Sequence, residues 1–174
     1  MRHAKRKVHE TTGSGARSDV RIHHYFSRLV GWLELRVSDR GVQSISYVAA
    51  PKSPQMAKEH PVVSQLIEEL DRYFNGETVK FSVPLDLDSG TPFQHKVWSA
   101  LARIPYGQTR SYAEVAKAVG TPQGARAVGS ANKSNSIPIL IPCHRVIKAD
   151  RGLGGYDSGV HIKKRLLELE GVRI

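Results

Sequence analysis

"SYAEVAKAVGTPQGARAVGSANKS", residues 111–134, decides how the second half of the chain folds. Ser111 and Glu114 stand at capping-box spacing, where a hydroxyl and a carboxylate each satisfy an N–H group left open at a helix start. The helix they begin ends at Gly120, a residue that tolerates the left-handed backbone of a helix terminus. Thr121-Pro122 predicts an immediate second helix, rich in small residues: Ala125, Ala127, Gly129, Ser130 and Ala131. Two short helices joined at a glycine form a helix-turn-helix pattern. Many helical pairs share that pattern, so its setting adds weight. Residues 91–174 carry thirteen Lys/Arg against five Asp/Glu.

The remaining charge is unevenly spread. Residues 29–90 carry six Lys/Arg and nine Asp/Glu, and residues 1–28 carry seven and two, within a formal net charge of +10. A basic half beside an acidic one suits a protein of which one half meets a polyanion. The 174 residues contain no apolar run of membrane-spanning length. The start, "MRHAKRKVHETTGSGARS", has no apolar centre and does not read as a secretory signal. One cysteine makes neither an internal disulfide nor a cysteine-rich zinc site, which fits a reducing compartment.

Residues 1–18 show no periodicity and are expected to be a disordered basic tail. "VRIHHYF", "GWLELRV" and "GVQSISYV" are β-prone runs, with "SDRG" a turn between the second and third. In "HPVVSQLIEELDRYFNG", Val62, Leu66, Leu70 and Phe74 recur every four residues, which predicts a helix opened by Pro61 and closed by Gly76. "VKFSVPLDL" reads as one more extended segment. Residues 19–88 are therefore expected to form an N-terminal α/β domain, and 89–174 a second, mainly helical one. In the latter, Thr91-Pro92 opens a helix with Phe93, Val97, Trp98 and Leu101 on one face. "RVIKADRGLGGY" suits a β-hairpin wing turning near residues 150–152, and "VHIKKRLLELEG" a closing helix with Ile162, Leu166 and Leu169 aligned.

The single cysteine lies in "IPILIPCHRV", residues 137–146. A free thiol has a pKa of about 8.5 and needs a base or positive surroundings to become nucleophilic. His144 and Arg145 follow Cys143 directly. Neighbouring side chains on a strand face opposite ways, so only a turn or a bridging water would let His144 serve Cys143. A lone cysteine after an apolar run also suits simple packing. On chemistry alone the two readings stand even.

The motifs "PFQHKVWSAL", "IPYGQTRSYAEVA", "ARAVGSAN", "NSIPILIPCHRVI", "GLGGY" and "KKRLLELEG" together resemble, in order and spacing, the O6-alkylguanine-DNA alkyltransferases. The resemblance runs from about residue 91 to 171. The first half resembles the family only in length and coarse strand–helix pattern. The resemblance implies a ribonuclease H-like N-terminal domain and a winged helix-turn-helix C-terminal domain. It implies irreversible, single-use transfer of an alkyl group from O6 of a flipped-out guanine in duplex DNA to Cys143, without a cofactor. Activity on O4-alkylthymine stays open.

The resemblance also assigns residues. His144 acts on the thiol through a water, and Glu170 orients His144. Arg126 fills the space left by the flipped base, and Tyr112 crowds the target phosphate. Tyr156 and the backbone of Cys143 and Val146 contact the base, and Asn135 is a hinge. Arg145 is expected to be structural or phosphate-facing. Asn132, Ser136 and Asp157 depart from the family pattern around the pocket. His23, His24 and His60, with no cysteine near them, give no persuasive zinc set, so no metal is expected. A monomer in the cytoplasm, or with the DNA in a nucleus, is expected. The competing readings are a lesion sensor that does not transfer, a winged-helix DNA-binding regulator and a cysteine hydrolase.

Overall fold

The computed structural model describes residues 19–56, 60–87 and 89–173. The tail expected over residues 1–18 lies outside the described residues. Three antiparallel strands form the N-terminal sheet in the order β1 (Arg21–Ser27), β2 (Gly31–Ser38), β3 (Gly41–Val48). On β2, Leu33, Leu35 and Val37 alternate inward and are fully buried, as the two-residue period of a half-covered sheet requires. The helix α1 (Pro61–Phe74) covers them.

The buried stripe of α1 is Val63, Leu66, Leu70 and Tyr73, with Glu69 among them. Of the expected face, Leu66 and Leu70 are buried, while Val62 and Phe74 at its ends are half-buried and give way to Val63 and Tyr73, because a four-residue repeat drifts against a helix of 3.6 residues per turn. Glu69 is buried to serve the next segment: its carboxylate accepts from the backbone N–H groups of Ser82 (3.1 Å) and Val83 (3.3 Å). The extended segment predicted after α1 docks on β3 at one point only, with Val42 N donating to Pro84 O (2.8 Å) and Asp86 N to Val42 O (2.9 Å). Pro84 has no N–H to continue a ladder. Gly41 permits the approach, since a Cβ there would collide with the Pro84 carbonyl.

In the second half, α2 (Pro92–Leu101) opens on a capping box of Thr91 and Gln94. The pair β4 (Arg110–Ser111) leads into α3 (Tyr112–Ala118), capped by Ser111 and Glu114 as predicted. Then comes α4 (Ala125–Lys133), which packs on α2 and α3. The start of α4 corrects the sequence reading. Thr121 does not cap it: its hydroxyl turns back to the Ala116 carbonyl (3.4 Å), and its own carbonyl closes a turn with Gly124 N (2.7 Å). Gly124 is the N-cap.

A short 3₁₀ turn, Cys143–Arg145, precedes β5 (Val146–Ile147). The expected wing is also corrected. The chain does reverse at residues 148–152, with Lys148 N donating to Gly152 O (2.8 Å). Among the described residues no returning strand follows, and β5 pairs in parallel with β4 instead. Gly154, at φ 70°, bends the return against Tyr112, where a Cβ would lie 3.1 Å from the phenol oxygen. The closing helix α5 (Val160–Leu169) buries Ile162, Lys163, Leu166 and Leu167, while Leu169 is half-buried.

One hydrophobic core runs through both halves. Ile45 N on β3 donates to Ser136 O (2.9 Å), and Arg165 of α5 donates to Leu29 O (3.1 Å). Among the described residues no helix is long and apolar enough to cross a membrane.

Candidate active site

A cavity of about 830 Å³ opens between β3 and the second half, and Cys143 lies in its wall. Tyr112 of α3, Asn132 of α4, Tyr156 and, from β3, Tyr47 stand around it. The backbone aims the cysteine. Pro142, at φ −78° and ψ 66°, is the centre of an inverse γ-turn, and Cys143 N donates to Ile141 O (2.7 Å). Three residues before Pro142, Ile139 holds φ 76°, a left-handed conformation strained for a β-branched residue. Asn135 clamps this segment: its amide donates to Ile141 O (2.8 Å), and its carbonyl accepts from Ile137 N (3.0 Å). The 3₁₀ turn that follows sends Cys143 towards the cavity and His144 into the core, so any service of His144 to the thiol runs through a bridging water.

His144 and Glu170 are both buried, and His144 Nε2 lies 2.7 Å from Glu170 Oε1. Four further donors converge on that carboxylate. Tyr73 OH (2.8 Å) and Arg145 Nη2 (2.9 Å) reach Oε1, while Arg145 Nε (2.8 Å) and Gly107 N (3.2 Å) reach Oε2. Burial alone would raise the Glu170 carboxyl, but His144 and Arg145 outweigh it and hold it down to about 2. Burial lowers His144, against the pull of Glu170. A neutral ring beside a carboxylate places its proton on Nε2, so Nδ1 is an acceptor. Nδ1 is buried and has no partner among the described residues.

Burial pushes the Cys143 thiol up, while hydrogen bonding from Asn135 and Tyr156 and the charge of Lys163 act the other way. Lys163 is fully buried on α5 and donates to Val146 O (2.5 Å). Burial brings it down to about 8, with Cys143 opposing. Tyr156 OH lies 3.3 Å from Tyr47 OH, and burial raises both phenols, so both are neutral.

The structure brings Cys143, Asn132, Asn135, Tyr112, Tyr156 and Asp157 to one cavity and sets His144, Glu170 and Val146 behind it. Asn132 donates to the Cys143 carbonyl (3.3 Å), so its side chain is bound to the reactive turn. Asp157 is exposed at the rim and pairs with Lys133 (3.5 Å). Arg126 is exposed on α4, outside the cavity. The phosphate-facing option for Arg145 is overturned: its guanidinium is buried between Glu170 and the Ile104 carbonyl (2.6 Å). Among the described residues no group of three His, Cys, Asp or Glu is placed to hold a metal ion.

Sequence reasoning missed Lys163, Tyr73 and Tyr47. Lys163 carried a signal, because it lies three and four residues from Leu166 and Leu167, on a stripe otherwise apolar. Tyr73 and Tyr47 carried none, since each reaches the site across the boundary between the halves.

Residues 92–172 match the family model described as 6-O-methylguanine DNA methyltransferase, DNA binding domain. Residues 23–87 match the model for the ribonuclease-like domain of the same methyltransferase. The constitutive methylated-DNA–protein-cysteine methyltransferase of Bacillus subtilis is 53% identical over 116 residues, 66% of this chain and 70% of that protein. The methylated-DNA–protein-cysteine methyltransferase of Methanosarcina acetivorans is 41% identical over 150 residues, 84% of this chain and 96% of that protein. A crystal structure of Mycobacterium tuberculosis OGT in complex with DNA superposes with a TM-score of 0.76 at 42% identity, covering 86% of this chain and 91% of that one.

Proposed function

The chain belongs to the 6-O-methylguanine-DNA methyltransferase family, and from that premise we propose that it repairs DNA by moving an alkyl group from O6 of guanine onto Cys143. The observation that carries the residue assignment is the pairing of a cavity-facing Cys143 with a buried His144 locked to Glu170. The logic is that of other Cys-His-carboxylate sites.

In this reading His144 takes the thiol proton at Nδ1 through a bridging water, and Glu170 stabilises the imidazolium that forms. Sγ attacks the alkyl carbon, an S–C bond forms, and the C–O6 bond breaks with its electron pair leaving on guanine. The proton removed from the thiol is balanced by one gained on a guanine ring nitrogen, so an unmodified guanine in its keto form is left in the DNA. The Tyr156 hydroxyl is offered to the base as negative charge builds there. Lys163 supplies positive charge behind the thiolate, and its bond to Val146 O fixes the strand that follows Cys143. High thiol pKa in the unloaded site keeps Cys143 protonated and slow towards stray electrophiles.

The partner is duplex DNA, met by the basic second half through α3 and α4. Arg126, exposed on α4, fills the gap left by the rotated nucleotide, and Tyr112, at the first position of α3, crowds the target phosphate. Residues 19–88 then act as a supporting domain and 89–174 as the reacting one.

The deciding experiment is intact-protein mass before and after mixing with a duplex holding one O6-methylguanine. A gain of one methyl, mapped to the peptide with Cys143 and stopping after one turnover, is expected. Lesion binding without a gain would make the protein a sensor. Arg126→Ala separates flipping from chemistry. It slows transfer from duplex by about ten- to a hundredfold, since unstacking costs a few kcal/mol, and leaves attack on free O6-methylguanine within about twofold. Equal losses on both substrates would remove the flipping role.

A further inference from the structure

The N-terminal sheet is not a bystander to the reaction. Strand β3 forms one wall of the Cys143 cavity through Ser44, Ile45, Ser46 and Tyr47. It is pinned there by two bonds to the segment that leads into the reactive turn: Ile45 N to Ser136 O (2.9 Å) and Ser136 Oγ to Gln43 O (3.4 Å). Ser136 is one of the residues at which this chain departs from the alkyltransferase pattern, and its hydroxyl is the group that makes the second bond. The register of β3 then sets Tyr47 edge-on to Tyr156, with ring centroids 6.4 Å apart and planes at 71°. Their hydroxyls lie 3.3 Å apart, and Tyr156 also hydrogen-bonds towards the Cys143 thiol.

We infer that Tyr47 is a positioning residue for the alkyl transfer, donating its hydroxyl proton to the Tyr156 oxygen so that the Tyr156 proton points inward, to the thiol before the base enters and to the base once it is bound. The inference rests on the reaction assigned above. A phenol has one proton and can direct it at one partner. If Tyr156 donated to Tyr47, it would have nothing to offer the sulfur or the base. With Tyr47 as donor, the Tyr156 proton is released inward, and accepting a bond makes an O–H a stronger donor, as hydrogen-bond chains polarise one another. Among the described residues the Tyr47 hydroxyl meets the Tyr156 hydroxyl as its hydrogen-bond partner. Burial keeps both phenols neutral, so each has its proton to direct at neutral pH.

Tyr47→Phe tests this and keeps the ring that fills the wall. Loss of one directing hydrogen bond slows methyl transfer from duplex by about tenfold, with duplex affinity unchanged within about twofold. In a Tyr156→Phe background the same substitution has no further effect, because the group it positions is gone. Cys143 is the single cysteine of the chain, so iodoacetamide reports on it alone. The pH midpoint of its alkylation moves up in Tyr47→Phe and does not move between Tyr156→Phe and the double variant. A Tyr47→Phe variant with the wild-type rate and midpoint, or losses that multiply in the double variant, would overturn the role. Wild-type transfer is measured first: its absence removes the reaction, while the thiol titration still decides the tyrosine pair.

Discussion

Cys143→Ala abolishes the one-methyl mass gain and leaves binding to a lesion-bearing duplex within a few-fold of wild type. The sulfur is the atom that forms the new bond, and no other thiol exists in the chain. Folding survives, because the reactive turn is held by its backbone and by Asn135, and these contacts do not involve Sγ. Duplex affinity survives because, in the proposed reading, it comes from exposed cations of the second half such as Lys117, Arg126 and Lys133 and not from the sulfur. It is measured at fixed ionic strength, since phosphate contacts make affinity fall steeply with salt. A variant that still gains a methyl would refute the nucleophile assignment. A variant that loses duplex binding together with transfer would place Cys143 in recognition as well.

Glu170→Gln is the second large effect, and it acts on stability and rate together. The carboxylate collects five donors, two of them from the buried guanidinium of Arg145. An amide presents two N–H groups into that ring of donors and leaves a buried charge uncompensated, which costs about 3–5 kcal/mol. His144 loses the partner that holds its Nε2 proton, so transfer slows by roughly a hundredfold, the scale of a general-base contribution.

The two effects separate by pH. Glu170 sits at about 2 in the folded chain against 4.5 as a free side chain. A lowered carboxyl stabilises the fold fully above pH 4.5 and loses that contribution as pH falls through about 2. The stability gap between wild type and Glu170→Gln, read by urea unfolding, is therefore widest near neutrality and narrows below pH 4.5. A gap that stays constant down to pH 2 would mean that the lost interactions are not those of the charged carboxylate.

The elements that were legible in the sequence carry their own local signals. The Ser111–Glu114 capping box, the Thr91-Pro92 and Pro61 helix starts and the three strands of the sheet follow from side chains that act within a few residues of themselves. Cys143 and His144 could be placed because they sit in one contiguous motif. What failed was decided by contacts distant in sequence. Thr121 looks like a helix cap until the Ala116 carbonyl claims its hydroxyl. The wing looks like a hairpin until β4, more than thirty residues earlier, takes the pairing edge of β5. For Arg145 the sequence left a structural and a phosphate-facing role open, and only the folded chain, with Glu170 25 positions later, decides for the structural one. Tyr47 and Tyr73 were invisible for the same reason. A tyrosine on a strand or helix reads as packing, and the partner that gives it a task lies 109 residues away for Tyr47 and 97 for Tyr73.

That last distance bears on how such a protein can be inherited. Tyr73 belongs to the first half of the chain, yet its hydroxyl reaches the same Glu170 oxygen that orients His144. A gene spliced from the front of one relative and the back of another would carry the cysteine, the histidine and the glutamate intact. It would recover the full ring of donors only where the borrowed helix brought a hydroxyl to position 73. Repair competence is thus a property of a matched pair of halves, and exchange between lineages is constrained at a buried seam between them.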